Sequence, residues 1–396
     1  MPVGLYISVP FCKTKCSYCN FASDVFSRAV FERYVAGVCA DIEQAAQTAD
    51  QMGGSLDRAA DTIYFGGGTP TLLDVTQLER IFVTIRQNFS VPAAAEITVE
   101  CAPGTLTSSG LEALQRCGVN RVSLGVQSFD DHESASVGRV HKRSMVIEDV
   151  AALRSARISN LNVDLIAGLP HQTRESWEAS LEQLISLRVP HASIYMLEVD
   201  EDSRLGREVI AGGQKYHAHF VADEDLTADM YEVACEKLNA AGIRQYEISN
   251  FANTGFESRH NMKYWTRQPY LGFGVDAHSM LHSAVAGSAV RFSNSDSLEK
   301  YCAGGVQQRT FVSSEDALEE ALFLGLRLNK GIDLGTLRLD FGENEVAAYN
   351  EAISELIGSG LLESDAATIR LTPKGRLLSN EVFERFISVD LAVIRR

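Results

Sequence analysis

The stretch YISVPFCKTKCSYC, residues 6–19, joins a β-branched strand pattern to three cysteines, Cys12, Cys16 and Cys19, spaced C-x3-C-x2-C. Thiolates are soft ligands for zinc and for iron–sulfur clusters, and three of them on one loop can surround a single metal centre. A closed tetrahedral zinc site needs a fourth ligand, but none is obvious nearby, and no histidine precedes His132. The spacing therefore predicts a metal centre with one open coordination position, the alternative being three ordinary thiols on a loop.

From this stretch outward, the first half of the chain repeats a short β-branched run followed by a helical pattern. This alternation is typical of a parallel sheet with crossover helices. Most of the runs are too apolar to have a solvated face. The predicted strands cover residues 5–9, 62–65, 96–100, 121–125, 160–165 and 191–197. Helical stripes fall at 31–42 and 177–185, and Asp74 with Gln77 predicts a capping box. Six such units fit either a doubly wound sheet or an incomplete barrel.

Polar and glycine-rich residues follow the predicted strands. The cysteine loop follows the first strand and the segment GGGTP, residues 66–70, follows the second. Glu100 ends the third strand, Gln127 follows the fourth, and Asp164 lies late in the fifth. Both candidate folds place chemistry at the C-terminal ends of their strands. We therefore expect these residues to lie on the same rim of one sheet.

Composition excludes several classes of protein. The 396 residues allow two or three domains, and 45% are apolar. Lys and Arg number 36 against 52 Asp and Glu, a net charge of −16, and no basic patch interrupts it, so nucleic acid is not an expected partner. No apolar run approaches the roughly 18 residues of a membrane-spanning helix. The N-terminus resembles no secretory signal, so we expect a cytoplasmic protein with reduced thiols.

The second half of the chain begins with a loop-rich stretch near residue 200. It leads to YEISNF, residues 246–251, and HNMKYW, residues 260–265. From about residue 313, helical stripes at 318–326 and 346–357, extended runs at 361–363 and 368–371, and a helix at 374–386 suggest a winged-helix module. Residues 311–396 carry 9 Lys and Arg against 15 Asp and Glu. That charge favours a protein contact or lid over DNA binding.

Together these motifs resemble those of a known protein family, and the resemblance spans nearly the whole chain. Residues 6–19 resemble the cluster loop of radical S-adenosylmethionine (SAM) proteins, in particular the HemN-like branch. The resemblance continues through FGGGTP at 65–70, GVQSF at 125–129, LNVDLIAGLP at 161–170 and HN-x2-YW at 260–265. It implies an α/β fold, with an incomplete (β/α)6 barrel over residues 1–215. A middle segment, 216–310, is expected to close the barrel, before a winged-helix-like α+β domain at 311–396.

The resemblance also implies cofactors. In the superfamily three cysteines, here Cys12, Cys16 and Cys19, hold a [4Fe–4S] cluster whose fourth iron is chelated by SAM. An electron donor then drives cleavage of SAM to a 5′-deoxyadenosyl radical. The residues that align with SAM contacts are Tyr6, Tyr18, Gly67, Gly68, Thr69, Glu100, Gln127, Arg139 and Asp164.

Each of these assignments has a physical reason and an alternative. The glycines let backbone approach the SAM amino group, or they simply form a tight turn before Pro70. Glu100 and Asp164 suit a cationic amine or ribose hydroxyls. Arg139 is expected to pair with the SAM carboxylate unless it is a solvated surface residue.

Within the family, two functions compete. Oxygen-independent coproporphyrinogen III oxidases use the radical to decarboxylate propionates to vinyl groups, whereas heme chaperones of the HemW type bind heme and deliver it to apoproteins such as respiratory cytochromes. The oxidases have a further cysteine where this chain has Phe21, and a longer segment before the cluster loop. HN-x2-YW resembles the chaperone signature: His260 is expected to ligate heme and Tyr264 and Trp265 to pack on the macrocycle, the alternative being a core histidine.

We therefore expect a heme chaperone, for which any membrane contact during delivery would be peripheral. Ser8 departs from both subfamilies, which usually have a histidine there, so the cluster's potential and the cleavage of SAM are in question. Other radical SAM enzymes that modify tetrapyrroles rank third. Outside the family, the alternative is an iron–sulfur or zinc module without SAM.

Overall fold

Six parallel strands run in sequence order through the centre of the protein, in a computed structural model that describes residues 1–305 and 307–387. They are β1 Val3–Val9, β2 Ala60–Gly67, β3 Glu96–Cys101, β4 Arg121–Gln127, β5 Asn160–Ala167 and β6 His191–Met196. Each pairs in parallel with the next along the chain. All six predicted strands are confirmed. A doubly wound sheet reverses its strand order at a switch point, so the sequential order decides against that alternative.

Helices connect or follow these strands, and most of them contribute apolar side chains to one core with the sheet. They are α1 Ala29–Met52, α2 Val75–Asn88, α3 Ser108–Arg116, α4 Asp131–Ser136, α5 Arg143–Ser155, α6 Arg174–Ser186, α7 Arg204–Ile210 and α8 Glu224–Ala240. The capping box of Asp74 and Gln77 begins α2 as predicted. The 17-residue α8 lies in the stretch expected to be loop-rich. None of the helices in the described part of the chain is long and apolar enough to cross a bilayer.

The two faces of the six-strand sheet differ in chemistry. Side chains that face the helices are apolar, whereas the opposite, inner face is polar yet buried. One register row of that inner face joins Tyr6, Tyr64, Thr98, Arg121 and Asn160 across five strands. The prediction that most strands lack a solvated face is therefore confirmed, since both faces are largely buried. The sequence pattern did not indicate that the inner face is polar.

The order of the strands agrees with an incomplete barrel, in which successive parallel strands are neighbours. One cavity is lined by residues from five of the six strands, β2 to β6. The barrel shape itself stays a prediction.

The middle segment extends this sheet at both edges. It forms β7 Arg244–Gln245, β8 Asn250–Ala252, α9 Arg259–Trp265, β9 Tyr270–Phe273, β10 His278–His282, β11 Ala289–Ser293, α10 Leu298–Cys302 and β12 Gln308–Val312. The order in the sheet is β12-β11-β10-β9-β1-β2-β3-β4-β5-β6-β8-β7. In residues 1–305 and 307–387 the two outermost strands do not pair with each other, so closure of the barrel by this segment stays a prediction.

The C-terminal region has its own hydrophobic core, centred on α11. Its elements are α11 Ser314–Leu326, β13 Ile332–Asp333, α12 Leu334–Phe341, α13 Glu343–Ala347, α14 Asn350–Gly358, β14 Leu362–Asp365, β15 Thr368–Leu371, α15 Pro373–Leu377 and α16 Ser379–Glu384. The hairpin β14–β15 matches the predicted wing. Two predicted helices are each divided, at Tyr349 and at Leu378, whose backbone leaves regular helical geometry.

Candidate functional site

A cavity of about 520 Å³ lies at the C-terminal ends of β1–β6, beneath the cysteine loop; we call it the cysteine cavity. It is lined by the three cysteines of that loop and by eight of the nine residues expected to contact SAM. These eight are Tyr18, Gly67, Gly68, Thr69, Glu100, Gln127, Arg139 and Asp164. Tyr6 does not line it. The structure therefore brings together residues that lie up to 152 positions apart in the sequence, Cys12 and Asp164 being the most distant.

The three thiols share this cavity without converging on one point. Cys16 is buried, Cys12 and Cys19 are half-buried, and all three are free. The pKa of the Cys12 thiol is raised, mainly by burial and further by the nearby Cys19 and Cys16. Hydrogen bonds with Ser23 and Thr69 offset part of this increase. Among the residues described, no three His, Cys, Asp or Glu side chains are placed to hold a single ion. Three spread thiols without a fourth protein ligand suit a polynuclear cluster better than a lone zinc ion.

The glycine-rich loop after β2 packs directly on the cysteine loop. A Cβ atom on Gly68 would lie 3.0 Å from Sγ of Cys12 and 2.7 Å from the carbonyl oxygen of Phe11, so only glycine fits. The N–H of Gly68 donates to the carbonyl of Val9 and the N–H of Thr69 to that of Phe11, both at 2.7 Å. These two amides are therefore committed to holding the cysteine loop, a role that the sequence did not indicate.

Two carboxyl groups lie on the floor of the cavity. Glu100 accepts a hydrogen bond from Tyr64 Oη at 2.8 Å. Burial raises the pKa of Glu100 to about 7, and repulsion from Asp164 adds to the effect. Burial likewise raises the pKa of Asp164, although Ser123 and Asn162 donate hydrogen bonds to it at 3.1 and 2.7 Å. A bound cation would stabilise the ionised form of both groups.

Gln127 and Arg139 bring polar atoms without partners to the wall of the cavity. Gln127 has a backbone φ of 71°, which is strained for a residue other than glycine, and its Oε1 is buried without a hydrogen-bond partner in the described chain. Arg139 donates to the carbonyl of Gly125 and, at 3.6 Å, to Sγ of Cys16. Its Nε is also buried without a partner. Buried polar atoms left unpaired are costly, so a polar ligand would relieve both residues.

The HN-x2-YW segment forms α9, which lies at the opposite, N-terminal ends of the strands. Glu96, the first residue of β3, accepts the backbone N–H groups of Arg259 and His260 at 3.1 and 3.0 Å. The His260 ring is 1% exposed. Its Nδ1 bonds Thr62 Oγ1 at 2.8 Å and its Nε2 bonds Tyr264 Oη at 2.9 Å.

This geometry corrects the expectation for His260. Burial, with help from Lys263 and Arg121, lowers the pKa of His260 to about 3, and neither ring nitrogen is free to bind iron. The structure supports the alternative of a core histidine. The guanidinium of Arg327 lies 4.2 Å from the ring of Trp265, and neither Trp265 nor His260 lines the cysteine cavity.

A second cavity, of about 280 Å³, adjoins the cysteine cavity and contains side chains that the sequence did not single out. We call it the tyrosine groove; its lining residues are Tyr6, Ser8, Pro10, Phe21, Ala22, Ser23, Gly67, Tyr264, Tyr270, Asp276 and His278. Phe21, Ser23 and Gly67 line both cavities. Tyr6 and Tyr264, two of the predicted site residues, therefore belong here. No motif marked Tyr270, Asp276 or His278.

Comparison with known proteins agrees with this geometry. Residues 6–184 match the model of the Radical SAM superfamily and residues 312–378 match the HemN C-terminal domain. The heme chaperone HemW of Lactococcus lactis is 32% identical over 394 residues, which cover 98% of each chain. HemW of Bacillus subtilis is 33% identical over 390 residues, 96% of this chain and 98% of that one. The chain belongs to the HemW family of radical SAM proteins. Family membership implies a [4Fe–4S] cluster and SAM.

A solved structure supports the fold. The Escherichia coli coproporphyrinogen III oxidase HemN, described as a radical SAM enzyme, superposes with a TM-score of 0.82 over 97% of this chain and 90% of that one, at 23% identity. The predicted α/β fold with a C-terminal domain is therefore confirmed. In this member of the HemW family, the free thiols of the cysteine cavity and its unpartnered polar atoms fit the cluster and SAM by their chemistry.

Proposed function

We propose that this protein is a heme chaperone that binds one [4Fe–4S] cluster, SAM and heme, and delivers heme to apoproteins such as respiratory cytochromes. The observation that carries the proposal is the match to proteins named heme chaperones along 98% of the chain. The side chain at position 21 agrees with it. Phe21 is 62% exposed at the rim shared by the two cavities, where the oxidases have a further cysteine.

In this proposal Cys12, Cys16 and Cys19 are the cluster ligands. When bound, the cluster and SAM supply reductive radical chemistry at the open iron. Glu100 and Asp164 hold the cationic end of SAM, because their mutual repulsion falls when a positive charge lies between them. Gly67, Gly68 and Thr69 are proposed to lie against the SAM amino group. The other assigned contacts are Gln127 for the ribose or methionine portion, Arg139 for the carboxylate and Tyr18 for the adenine. Tyr6 lies one cavity away and takes an indirect part.

For heme, the proposal keeps Tyr264 as an aromatic contact, since it lines the tyrosine groove. His260 and Trp265 were predicted with it, but a heme contact by His260 would require both of its ring hydrogen bonds to break. We therefore propose that His260 and Trp265 support the position of Tyr264 from within α9 rather than bind iron.

The second candidate is an oxygen-independent coproporphyrinogen III oxidase, which the shared fold with HemN favours. An anaerobic incubation of cluster-reconstituted protein with SAM, a low-potential reductant and coproporphyrinogen III separates the two, with mass spectrometry of the products. We expect no decarboxylated porphyrinogen while the cluster stays intact. In a parallel assay, heme-loaded protein mixed with an apocytochrome is expected to transfer heme. Product formed at catalytic turnover would replace the chaperone with the oxidase.

A further inference from the structure

The tyrosine groove combines aromatic rings with an accessible imidazole. Tyr264 and Tyr270 pack edge to face with ring centroids 4.6 Å apart, and Phe21 is largely exposed at the rim. The His278 side chain, which also lines the groove, is 67% exposed. Aromatic rings bind flat apolar macrocycles well, and an imidazole is a common axial ligand of heme iron.

His278 combines a ring that makes no hydrogen bond with a place in the wall of the tyrosine groove. His132, His219 and His282 also make no ring hydrogen bond in the described chain, but they do not line this groove. His260, His191, His141, His171 and His217 each use at least one ring nitrogen in a hydrogen bond. The ring of His278 has no hydrogen bond within residues 1–305 and 307–387. Its one polar neighbour is Asp276, whose Oδ1 lies 3.7 Å from Nε2. A free, exposed ring nitrogen at the wall of a cavity is what iron ligation requires.

We propose that His278 is an axial ligand of the heme iron and that the macrocycle packs on Tyr264, Tyr270 and Phe21 in the tyrosine groove. This inference rests on the proposed function and assigns the position of its cargo. It replaces His260, the histidine of the HN-x2-YW motif, with a histidine that no motif marks. Tyr264 of the motif keeps its contact with the porphyrin.

The dimensions of the groove fit a carrier. At about 280 Å³ it lies below the usual range for enclosing a drug-sized ligand, so part of the macrocycle would remain outside. An exposed edge is what an acceptor protein needs to reach. Asp276 has a backbone φ of 55° and lines the same groove, and a carboxylate beside a ligating imidazole orients the ring and raises its basicity.

The groove also touches the radical SAM site. Phe21, Ser23 and Gly67 contribute to both cavities, and Ser23 hydrogen-bonds Sγ of Cys19 at 3.9 Å. Heme in the groove would therefore lie beside the loop that carries the cluster.

The test is a heme titration of the full-length, cluster-reconstituted protein, read by absorption and EPR. The histidine to be tested is changed in His278→Ala and His278→Tyr. We expect His278→Ala to weaken heme binding by about tenfold or more. His278→Tyr is expected to give the ferric spectrum of a tyrosinate ligand, because the axial atom then comes from the new side chain. A spectrum that changes with the chemistry of residue 278 cannot arise from loss of folding.

Matched controls use His132→Ala, an exposed histidine outside both cavities, and His217→Ala, from the His171–His217 pair. Both are expected to keep the wild-type heme spectrum. The inference is overturned if both His278 variants bind heme as the wild type does, or if His217→Ala alters ligation instead. In those cases the wild type still binds heme, so the chaperone function stands. If the wild-type protein does not bind heme stoichiometrically, both the heme site at His278 and the proposed chaperone function are wrong.

Discussion

The two ends of the six-strand sheet both bury polar side chains, and they differ in where the unpaired atoms lie. At the N-terminal end, Arg121 Nε and Asn160 Oδ1 are buried without a hydrogen bond in the described chain but do not line the cysteine cavity, whereas the unpaired atoms at the C-terminal end belong to residues of its wall. At the N-terminal end, His260 uses both ring nitrogens, Glu96 accepts two backbone N–H groups, and Lys263 lies 2.7 Å from Asp61. At the C-terminal end, Gln127 Oε1 and Arg139 Nε have no partner in the described residues, and repulsion from Asp164 adds to the effect of burial in raising the pKa of Glu100.

This difference separates architecture from function. A buried polar group with all its hydrogen bonds made stabilises the fold that contains it. A buried polar group that lacks a partner, or that faces a like charge, costs free energy unless a ligand supplies what is missing. The paired groups around α9 therefore stabilise the fold at the N-terminal end, whereas the unpaired atoms at the C-terminal end belong to residues that line a cavity, where a ligand can supply the missing partners. Three substitutions and one pH dependence test this comparison.

The largest expected effect comes from the cysteine loop. Cys16→Ala should prevent formation of a normal [4Fe–4S] cluster, because two remaining thiolates cannot hold three of its irons. Iron content should fall far below about four atoms per chain, and the EPR signal of the reduced cluster should disappear.

The matched control for this variant is Cys101→Ala. Cys101 lines the same cavity, but burial raises the pKa of its thiol to about 12, and it lies within 3.6 Å of the Thr105 hydroxyl. It should therefore keep full cluster content. If both variants lost the same amount of iron, the three predicted cysteines would not be the specific ligands of the cluster.

The second substitution, Glu100→Gln, removes one charge from the floor of the cysteine cavity while it keeps the shape of the side chain. SAM affinity should fall by about tenfold or more, since a cation loses a carboxylate at a buried site. Calorimetry of the cluster-loaded protein measures this. Glu133→Gln is the control, because Glu133 is a buried carboxyl bonded to Ser128 and Ser176 outside the cavity. Unchanged SAM affinity in Glu100→Gln would place the SAM cation elsewhere.

Much of the cysteine cavity could be predicted from the sequence. The reason is that parallel strands connected in order bring their C-terminal ends to one rim. Glu100 and Asp164 could therefore be placed near the cysteines once the strands were known. The tyrosine groove could not be predicted, because His278 and Tyr270 come from β10 and β9, short strands of the middle segment. No local pattern indicates that β9 pairs with β1 or that β10 pairs with β9.

The fold shows the same division. Strands β1–β6 alternate with long amphipathic helices and were all predicted. The heme role expected for His260 rests on a motif that indicates residue type but not depth. The imidazole of His260 packs close to Gly4, where a Cβ atom would lie 3.3 Å from the ring. A contact between residues so far apart in the chain cannot be predicted from a local sequence pattern.

The third substitution, His260→Ala, tests the structural end of the sheet. It leaves the hydroxyls of Thr62 and Tyr264 without their partner, so the free energy of unfolding should fall by about 2–3 kcal/mol. Urea unfolding of the protein measures this loss, and the exposed His132→Ala should change it by less than about 0.5 kcal/mol. Heme spectra of the folded variant should match the wild type. Intact stability with altered heme ligation would restore His260 as the iron ligand.

The smallest expected effect is a change with pH in the stability of the fold, to which Glu100 at the C-terminal end and His260 at the N-terminal end contribute. The carboxyl of Glu100 has a raised pKa of about 7 in the ligand-free fold, against an ordinary value of 4.5. Below the ordinary value it is protonated whether the chain is folded or not, and it costs nothing. As pH rises from there to the folded pKa, the unfolded chain ionises first, so this group lowers the stability of the fold, with the full loss present above it.

Glu100→Gln lacks that loss, so its melting temperature without SAM should exceed that of the wild type by about 3 °C at about pH 8, and by less at about pH 5. Adding SAM should reverse the order at the higher pH, because only the wild type gains a paired carboxylate. Burial lowers the pKa of His260 to about 3, so below its ordinary value of 6.5 the unfolded ring gains a proton that the folded ring does not. The loss of stability in His260→Ala should therefore be full at about pH 8 and smaller at about pH 5, so that relative to the wild type the stabilities of the two variants move in opposite directions as pH rises. If the melting temperatures of Glu100→Gln and the wild type differed by the same amount at every pH, the C-terminal end would not be adapted to a cationic ligand. A buried carboxyl group that binds a cation should lower the stability of the fold when the cation is absent.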